Sequence, residues 1–389
     1  MARKLLVFDT HPVQYRVPIW KYMTQELHDS VHVVYASDCS VRGHFDVEFG
    51  KSFAWDEPML SEYEYTVLNC EKGEPLKGWG SLTGEGVRET MQRIKPDVVL
   101  LLGLNFRYDV VAYKNAKQMG IPVWLRCDNQ DYAYQRSWLK GVARSLIYRT
   151  AYKGIDKLFY VGELNREHYL KNGVPDSKLI PARHFTVDRF AGMSEAEKLA
   201  LRVSQRKQAN IDEKAFVIGF SGKFIEKKNP KILFEMQQFL PEEIRSRVHL
   251  YFMGSGELEK ELRAMADETS SKYGSKAYFS GFVNQTQLAG HYLAMDVMIL
   301  PSRRMGETWG LVTNEAMQGG AGVIVSDAVG SSADFANWER FRIFKEGDPR
   351  TLADATVSLA KFDRTFNWAL AGLEDYSVKQ TSDALMGAL

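Results

Sequence analysis

Cysteine is scarce in this chain: Cys39, Cys70 and Cys127 are the three present in 389 residues, widely spaced and without a Cys-x-x-Cys pair. An odd, scattered set of this kind rules out a disulfide framework, argues against a cysteine zinc site and fits a reducing compartment. Nor is there an excess of one charge, since Lys plus Arg number 50 against 49 Asp plus Glu. A protein whose main task is to wrap nucleic acid carries a clear basic excess, so no nucleic-acid partner is expected. Long apolar runs are missing as well, and nothing approaches a membrane-spanning length. The stretch 5–8 that follows Arg3 and Lys4 ends at Asp9, too short for a signal-peptide core. A cytoplasmic location is the expectation.

Several catalytic signatures are also absent. There is no G-x-x-x-x-G-K-[ST], no H-E-x-x-H, no G-x-S-x-G and no Asp-x-Asp. Gly254-Ser255-Gly256 follows an apolar run but has Glu259 where a dinucleotide fingerprint needs its third glycine, so it reads as a tight turn. Without an Asp-x-Asp clamp, a bound diphosphate must be neutralised by protein cations and helix amides. Neither a metal nor a cofactor is expected.

What is present is alternation. Short apolar runs at 5–8, 31–35, 98–102, 123–125 and 158–160 are separated by helical patterns such as 110–119, which stops at Gly120 before Pro122. The pattern pauses over 183–214, where 194–210 is charged and helix-prone, as a bridge between domains would be. It restarts at 216–220, 248–253, 277–280, 297–300, 322–326 and 341–344. Apolar runs of this length between helices predict βαβ units and parallel sheets. Two Rossmann-like parallel-sheet domains facing a central cleft are expected, 1–185 and 186–375, with a last helix over 376–389 returning to the first.

The most informative stretch runs from Leu300 to Met317. An apolar run ends at Pro301, a loop carries Glu307, and a helix is predicted to begin near Trp309 and Gly310. Backbone N–H groups of Thr308, Trp309, Gly310, Leu311 and Val312 would then face a phosphate. Glu315, about two turns into that helix, would reach a diol further along. Taken alone, two such glutamates read equally as solvated acids on a capped helix. Lys223 and Lys228, five residues apart after a run ending at Gly222, can converge on one pyrophosphate.

This stretch resembles the Glu-x7-Glu signature of the retaining family 4 glycosyltransferases, which have the GT-B fold. The loop Phe220-Ser221-Gly222-Lys223-Phe224-Ile225-Glu226-Lys227-Lys228-Asn229-Pro230 is similar to that family's glycine-basic loop. Tyr251–Glu257 resembles its glycine turn, and Ser280-Gly281-Phe282-Val283 with 292–302 its following pattern, so the likeness covers nearly all of 216–330. By resemblance, Glu307 contacts the donor sugar, Glu315 holds the ribose hydroxyls, Lys223 and Lys228 bind the diphosphate, and Phe282 and Val283 receive the base. Lys223 departs from the more usual arginine, and lysine binds as a point charge rather than a fork. The implied reaction is retaining transfer from a UDP-, GDP- or ADP-sugar to a glycan or lipid-linked acceptor. A sugar-nucleotide 2-epimerase and a non-catalytic nucleotide-sugar-binding scaffold subunit are the alternatives.

The first half departs further from the family. Where members usually carry a Gly-Gly pair, this chain reads Thr10-His11-Pro12-Val13-Gln14-Tyr15-Arg16. His11, Gln14 and Arg16 either replace the lost backbone contact or shape an acceptor pocket. Within Gly120–Asn129, where Arg126 is a further acceptor-side candidate, Asp128 falls where the family usually has a histidine beside the donor sugar. A carboxylate there can hold a sugar hydroxyl or steady positive charge at the anomeric carbon. Arg136, Lys140 and Arg144 recur every four residues beside an apolar stripe of Trp138, Leu139, Val142 and Leu146. Such a basic amphipathic helix either rests on an anionic membrane surface at the inner face or is simply solvated.

Overall fold

Strands that read apolar on both faces need cover on both faces, and the structure supplies it twice. Val98–Leu101 and Val297–Leu300 are buried along their whole length, each at the centre of a parallel sheet with helices on either side. The chain is described from a computed structural model, which covers residues 3–27, 30–46, 51–53, 57–74 and 76–389. Among them the first sheet has the spatial order Glu64–Val67, Val31–Tyr35, Leu5–Asp9, Val98–Leu101, Val123–Arg126, Lys157–Tyr160, Leu179–Pro181. The second runs Lys276–Gly281, Val248–Met253, Phe216–Ser221, Val297–Leu300, Gly322–Ser326, Phe341–Phe344. Each is doubly wound, with its first strand central and the chain reversing direction between the first and fourth. Ligands bind outside the carboxyl ends of strands at such a reversal. In this chain those ends lead into 10–16 and 102–106 in one sheet, and into 222–228 and 301–307 in the other.

Every apolar run expected to be a strand is one. Two parallel strands were not expected, Glu64–Val67 and Leu179–Pro181, and both lie at an edge of the first sheet. Edge strands are half exposed, so their residues lack the continuous apolar signature. His44–Asp46 and Lys51–Phe53 form a separate antiparallel pair.

The charged stretch expected to bridge the domains does something different. Glu195–Gln208 is a helix capped by Ser194, whose side chain accepts from the Glu197 N–H, and it packs against Leu288–Ala294 beside the second sheet. Arg202 and Arg206 are buried and grip Asp296 at 2.5 and 2.7 Å. Its charges are therefore internal partners, which a count of large apolar residues cannot reveal. At the other end of the chain, Val378–Met386 lies against Val17–Leu27 of the first domain. Leu385 there joins Trp20 and Phe185 in one core, and Thr381 Oγ1 donates to the Arg183 carbonyl at 2.8 Å.

Two strand ends of the second sheet meet at Gly222 and Gly254, the latter at φ 143°. A Cβ on Gly254 would stand 1.9 Å from the Gly222 carbonyl oxygen. Gly254→Ala is expected to destabilise the protein by about 2 kcal/mol or more, lowering the melting temperature by roughly 4 °C or more. An unchanged melting curve would show that this close approach is not required.

Candidate active site

Glu307 is 8% exposed, and a carboxylate so buried needs partners. It has two: Ser302 Oγ donates at 2.9 Å, and Lys228 Nζ forms an ion pair with the same oxygen. Burial alone would raise its pKa, but Lys228, Lys227 and Ser302 outweigh burial and hold it below the ordinary value. The backbone completes the clasp between the two loops. Arg303 N–H donates to the Lys227 carbonyl at 2.8 Å, and Lys227 Nζ to the Gly306 carbonyl at 3.0 Å.

Glu315 sits in the first turn of Val312–Gln318, not two turns into a helix. The predicted start near Trp309 is early by three residues, since the helix begins at Val312. Gly310 at φ 93° and the buried Trp309, whose Nε1 donates to Asn314 Oδ1 at 2.9 Å, keep the chain out of helical geometry there. Tyr292 OH donates to Glu315 at 2.5 Å and lies 3.0 Å from Ser221 Oγ. Burial raises the Glu315 pKa, with Tyr292 and Arg189 only partly opposing it.

A cavity of about 540 Å³ opens between the two sheets. From the second domain it is lined by Gly222, Lys223, Lys228, Phe282, Val283, Glu307, Thr308, Trp309, Gly310, Leu311, Val312 and Glu315. Asp128 and Gln14 line it from the first. Three of the expected residues do not. His11, Arg16 and Arg126 line a neighbouring cavity of about 270 Å³ within the first domain. Arg16 is paired with Asp9 at 2.7 Å, and Arg126 donates to the carbonyls of Ala182 and Arg183 at 3.1 and 3.2 Å. Arg16 therefore does not stand in for the missing Gly-Gly pair at the larger cavity.

Three residues line both cavities: Asp128, Tyr15 and His184. Asp128 accepts from Thr308 Oγ1 at 2.7 Å, a hydrogen bond across the cleft. Next to it, Gly306 N–H donates to the Ala133 carbonyl at 2.7 Å, and Tyr134 bridges to Met305. His184 is 6% exposed, its Nε2 has no partner among the described residues, and its ring packs against Tyr15 and Trp309. Burial, then repulsion from Arg126, lowers its pKa to about 3, so it is a neutral imidazole. Sequence reasoning missed His184 because it follows the unrecognised strand Leu179–Pro181. It missed Tyr292 because an aromatic residue on an apolar helix reads as core.

Two doubly wound sheets with a cleft between the carboxyl ends of both define the GT-B class. Residues 202–362 match the family described as Glycosyl transferases group 1. This stretch, which makes up most of the second domain, is similar to that family. An uncharacterised glycosyltransferase of Methanocaldococcus jannaschii is 28% identical over 129 residues, which span 33% of this chain and 32% of that relative. The crystal structure of Anabaena HepE in complex with UDP is similar in fold, with a TM-score of 0.71 at 14% identity over 99% of each chain. A glycosyltransferase of Rickettsia africae gives 0.67 at 11% identity, over 100% of this chain and 98% of that one.

Asp109 closes the first-domain cavity, 3% exposed, and its Oδ2 accepts from the Phe106 N–H at 2.9 Å. Burial pushes its carboxyl from 3.8 up to about 6. A carboxyl raised on folding stabilises the fold below its unfolded pKa and loses that contribution as pH rises through its folded pKa. Asp109→Asn should therefore gain stability relative to the wild type as pH rises from about 4 to about 7, by up to roughly 3 kcal/mol, read as a widening difference in melting temperature. A gap that does not vary with pH would remove this titration.

Proposed function

We propose that the protein is a retaining glycosyltransferase that moves a sugar from a nucleoside-diphosphate donor to a glycan or lipid-linked acceptor. One observation carries the reading: Glu307, Lys228, Glu315 and Asp128, drawn from both domains, line one cavity. Lys223 and Lys228 take the diphosphate, and Glu315 accepts from the ribose diol. The base rests against Phe282 and Val283. Donor binding exchanges partners, in that Lys228 turns to the diphosphate and frees Glu307 to accept from a sugar hydroxyl. As the sugar–phosphate bond breaks, Lys228 offsets charge on the leaving group. Asp128 lies where the two cavities join and steadies positive charge on the sugar, while the acceptor hydroxyl approaches from the first-domain cavity. HepE has been solved with UDP and with UDP-glucose, which makes a UDP-sugar the first donor to test.

Glu315→Ala is expected to weaken nucleoside-diphosphate binding about tenfold to a hundredfold, since a charged hydrogen bond contributes roughly 1.5–3 kcal/mol. Calorimetry on the folded variant reads this, and unchanged affinity would exclude Glu315 from the site. With an α-linked donor the product should be α-linked. A β product, read from the anomeric proton coupling, would overturn the retaining assignment.

The lipid-linked acceptor is supported by the helix Trp138–Lys153, although not by the face expected. Arg144 is paired with Asp131 at 3.0 Å and Arg136 sits over the Tyr134 ring, so the basic triplet is split. The face left outside is apolar: Trp138 is 75% exposed, Leu146 61% and Ile147 67%, on a helix with four cations and no acid. Such a face fits an anionic bilayer, whereas docking on a second copy would oppose like charges. No helix among the described residues is long and apolar enough to cross a membrane. Trp138→Ala with Leu146→Gln should reduce co-sedimentation with phosphatidylglycerol-containing vesicles about tenfold or more. Equal sedimentation of the wild type and this variant would overturn it.

A further inference from the structure

A third cavity, of about 310 Å³, lies at the opposite end of the second sheet's strands. Its walls include Ala215, Phe216, Arg247, Val297, Gly322 and Arg340, all at or beside the amino ends of the strands. The candidate active site lies beyond the carboxyl ends of the same strands. Six residues at about 3.3 Å each put the two sites roughly 20 Å apart.

Six cationic side chains, Arg202, Arg206, Lys214, Arg247, Arg340 and Arg364, line this space against three carboxylates, Glu213, Asp296 and Asp363. Asp296 is already committed to Arg202 and Arg206, at 2.5 and 2.7 Å. Among the described residues, Arg340 and Arg364 have no comparable partner. Arg340 has a side chain 12% exposed and donates from Nη1 to the Asp363 carbonyl at 2.5 Å. Its Nε has no hydrogen bond, and its nearest carboxylate, Glu339, is 3.9 Å away. Arg364 donates to the carbonyls of Thr365 and Gly319 at 2.8 and 2.6 Å, and its Nε is buried without a partner. Burial and the nearby Arg202, Arg206 and Arg340 all work against its charge.

Buried guanidinium groups held close together, with donors left over, call for an anion with several acceptor oxygens. We propose that this cavity is a binding site for a small phosphate-bearing ligand, separate from the donor cleft. Its size suits one or two phosphoryl groups or a monosaccharide phosphate, and its excess of cations suits a multiply charged anion. Arg364 also ties the site to the cleft, because the carbonyl it holds, Gly319, caps the helix that carries Glu315.

The test is calorimetric titration with inorganic phosphate, pyrophosphate and glucose 6-phosphate. It uses the full chain as wild type, Arg340→Gln and Lys228→Ala. Lys214→Gln with Arg247→Gln, both on exposed side chains, serves if Arg340→Gln does not fold. At least one probe should bind the wild type, and the tightest of the three distinguishes a free oxyanion from a sugar phosphate. The far-side variants should weaken that binding about tenfold, and Lys228→Ala should leave it unchanged. Binding lost in Lys228→Ala and kept in the far-side variants would assign it to the donor cleft and overturn the proposal. So would the absence of binding by all three probes. The glycosyl-transfer reading stands or falls separately, on donor turnover.

Discussion

A carboxylate cannot be buried without a cation or donors beside it, and much of the cleft follows from satisfying Glu307. Its partners, Lys228 and Ser302, come from the loops after two neighbouring strands of the second sheet. Holding them together brings the basic loop 223–228 against the loop 303–307, and the backbone bonds between the two fix that contact. The same loop then reaches the first domain through Thr308 and Gly306. Glu307, which we propose meets the donor sugar, thus lies between the two residues that join one domain to the other.

Both sheets use one winding scheme, so each offers its ligand-binding edge to the other. The shared cavity arises from that apposition. Asp128, Tyr15 and His184 stand at the doorway between the two cavities, and they come from three separate loops of the first domain. A neutral imidazole among two arginines and a carboxylate can accept or donate a hydrogen bond without adding charge.

The sequence made the sheets legible because their central strands are apolar on both faces, as at 98–101 and 297–300. It left out Glu64–Val67 and Leu179–Pro181, since an edge strand of three or four residues carries no pattern of its own. The second-domain half of the site was legible because its residues fall in three short stretches, 222–228, 282–283 and 305–315. The first-domain half was legible at Gln14 and Asp128 and not beyond them. Arg16 and Arg126 were named for a site, but their immediate partners, Asp9 and the carbonyls of Ala182 and Arg183, become visible only when the strands are laid side by side. Burial likewise reversed the expected reading of two charged helices. Arg202 and Arg206 turned inward to Asp296, and the outward side of Trp138–Lys153 proved to carry large apolar side chains between its cations.

The returning helix Val378–Met386 has a consequence for how the chain is made. Leu385 fills part of the same core as Trp20 and Phe185, yet the ribosome synthesises it after the whole second sheet. Domains ordinarily fold as they emerge, amino-terminal first. Here the earlier domain must wait with the Trp20 side of its core uncovered while some two hundred further residues are added. Its completion comes only after the second sheet has been made, so a nascent chain stalled before that point would present the apolar face to chaperones.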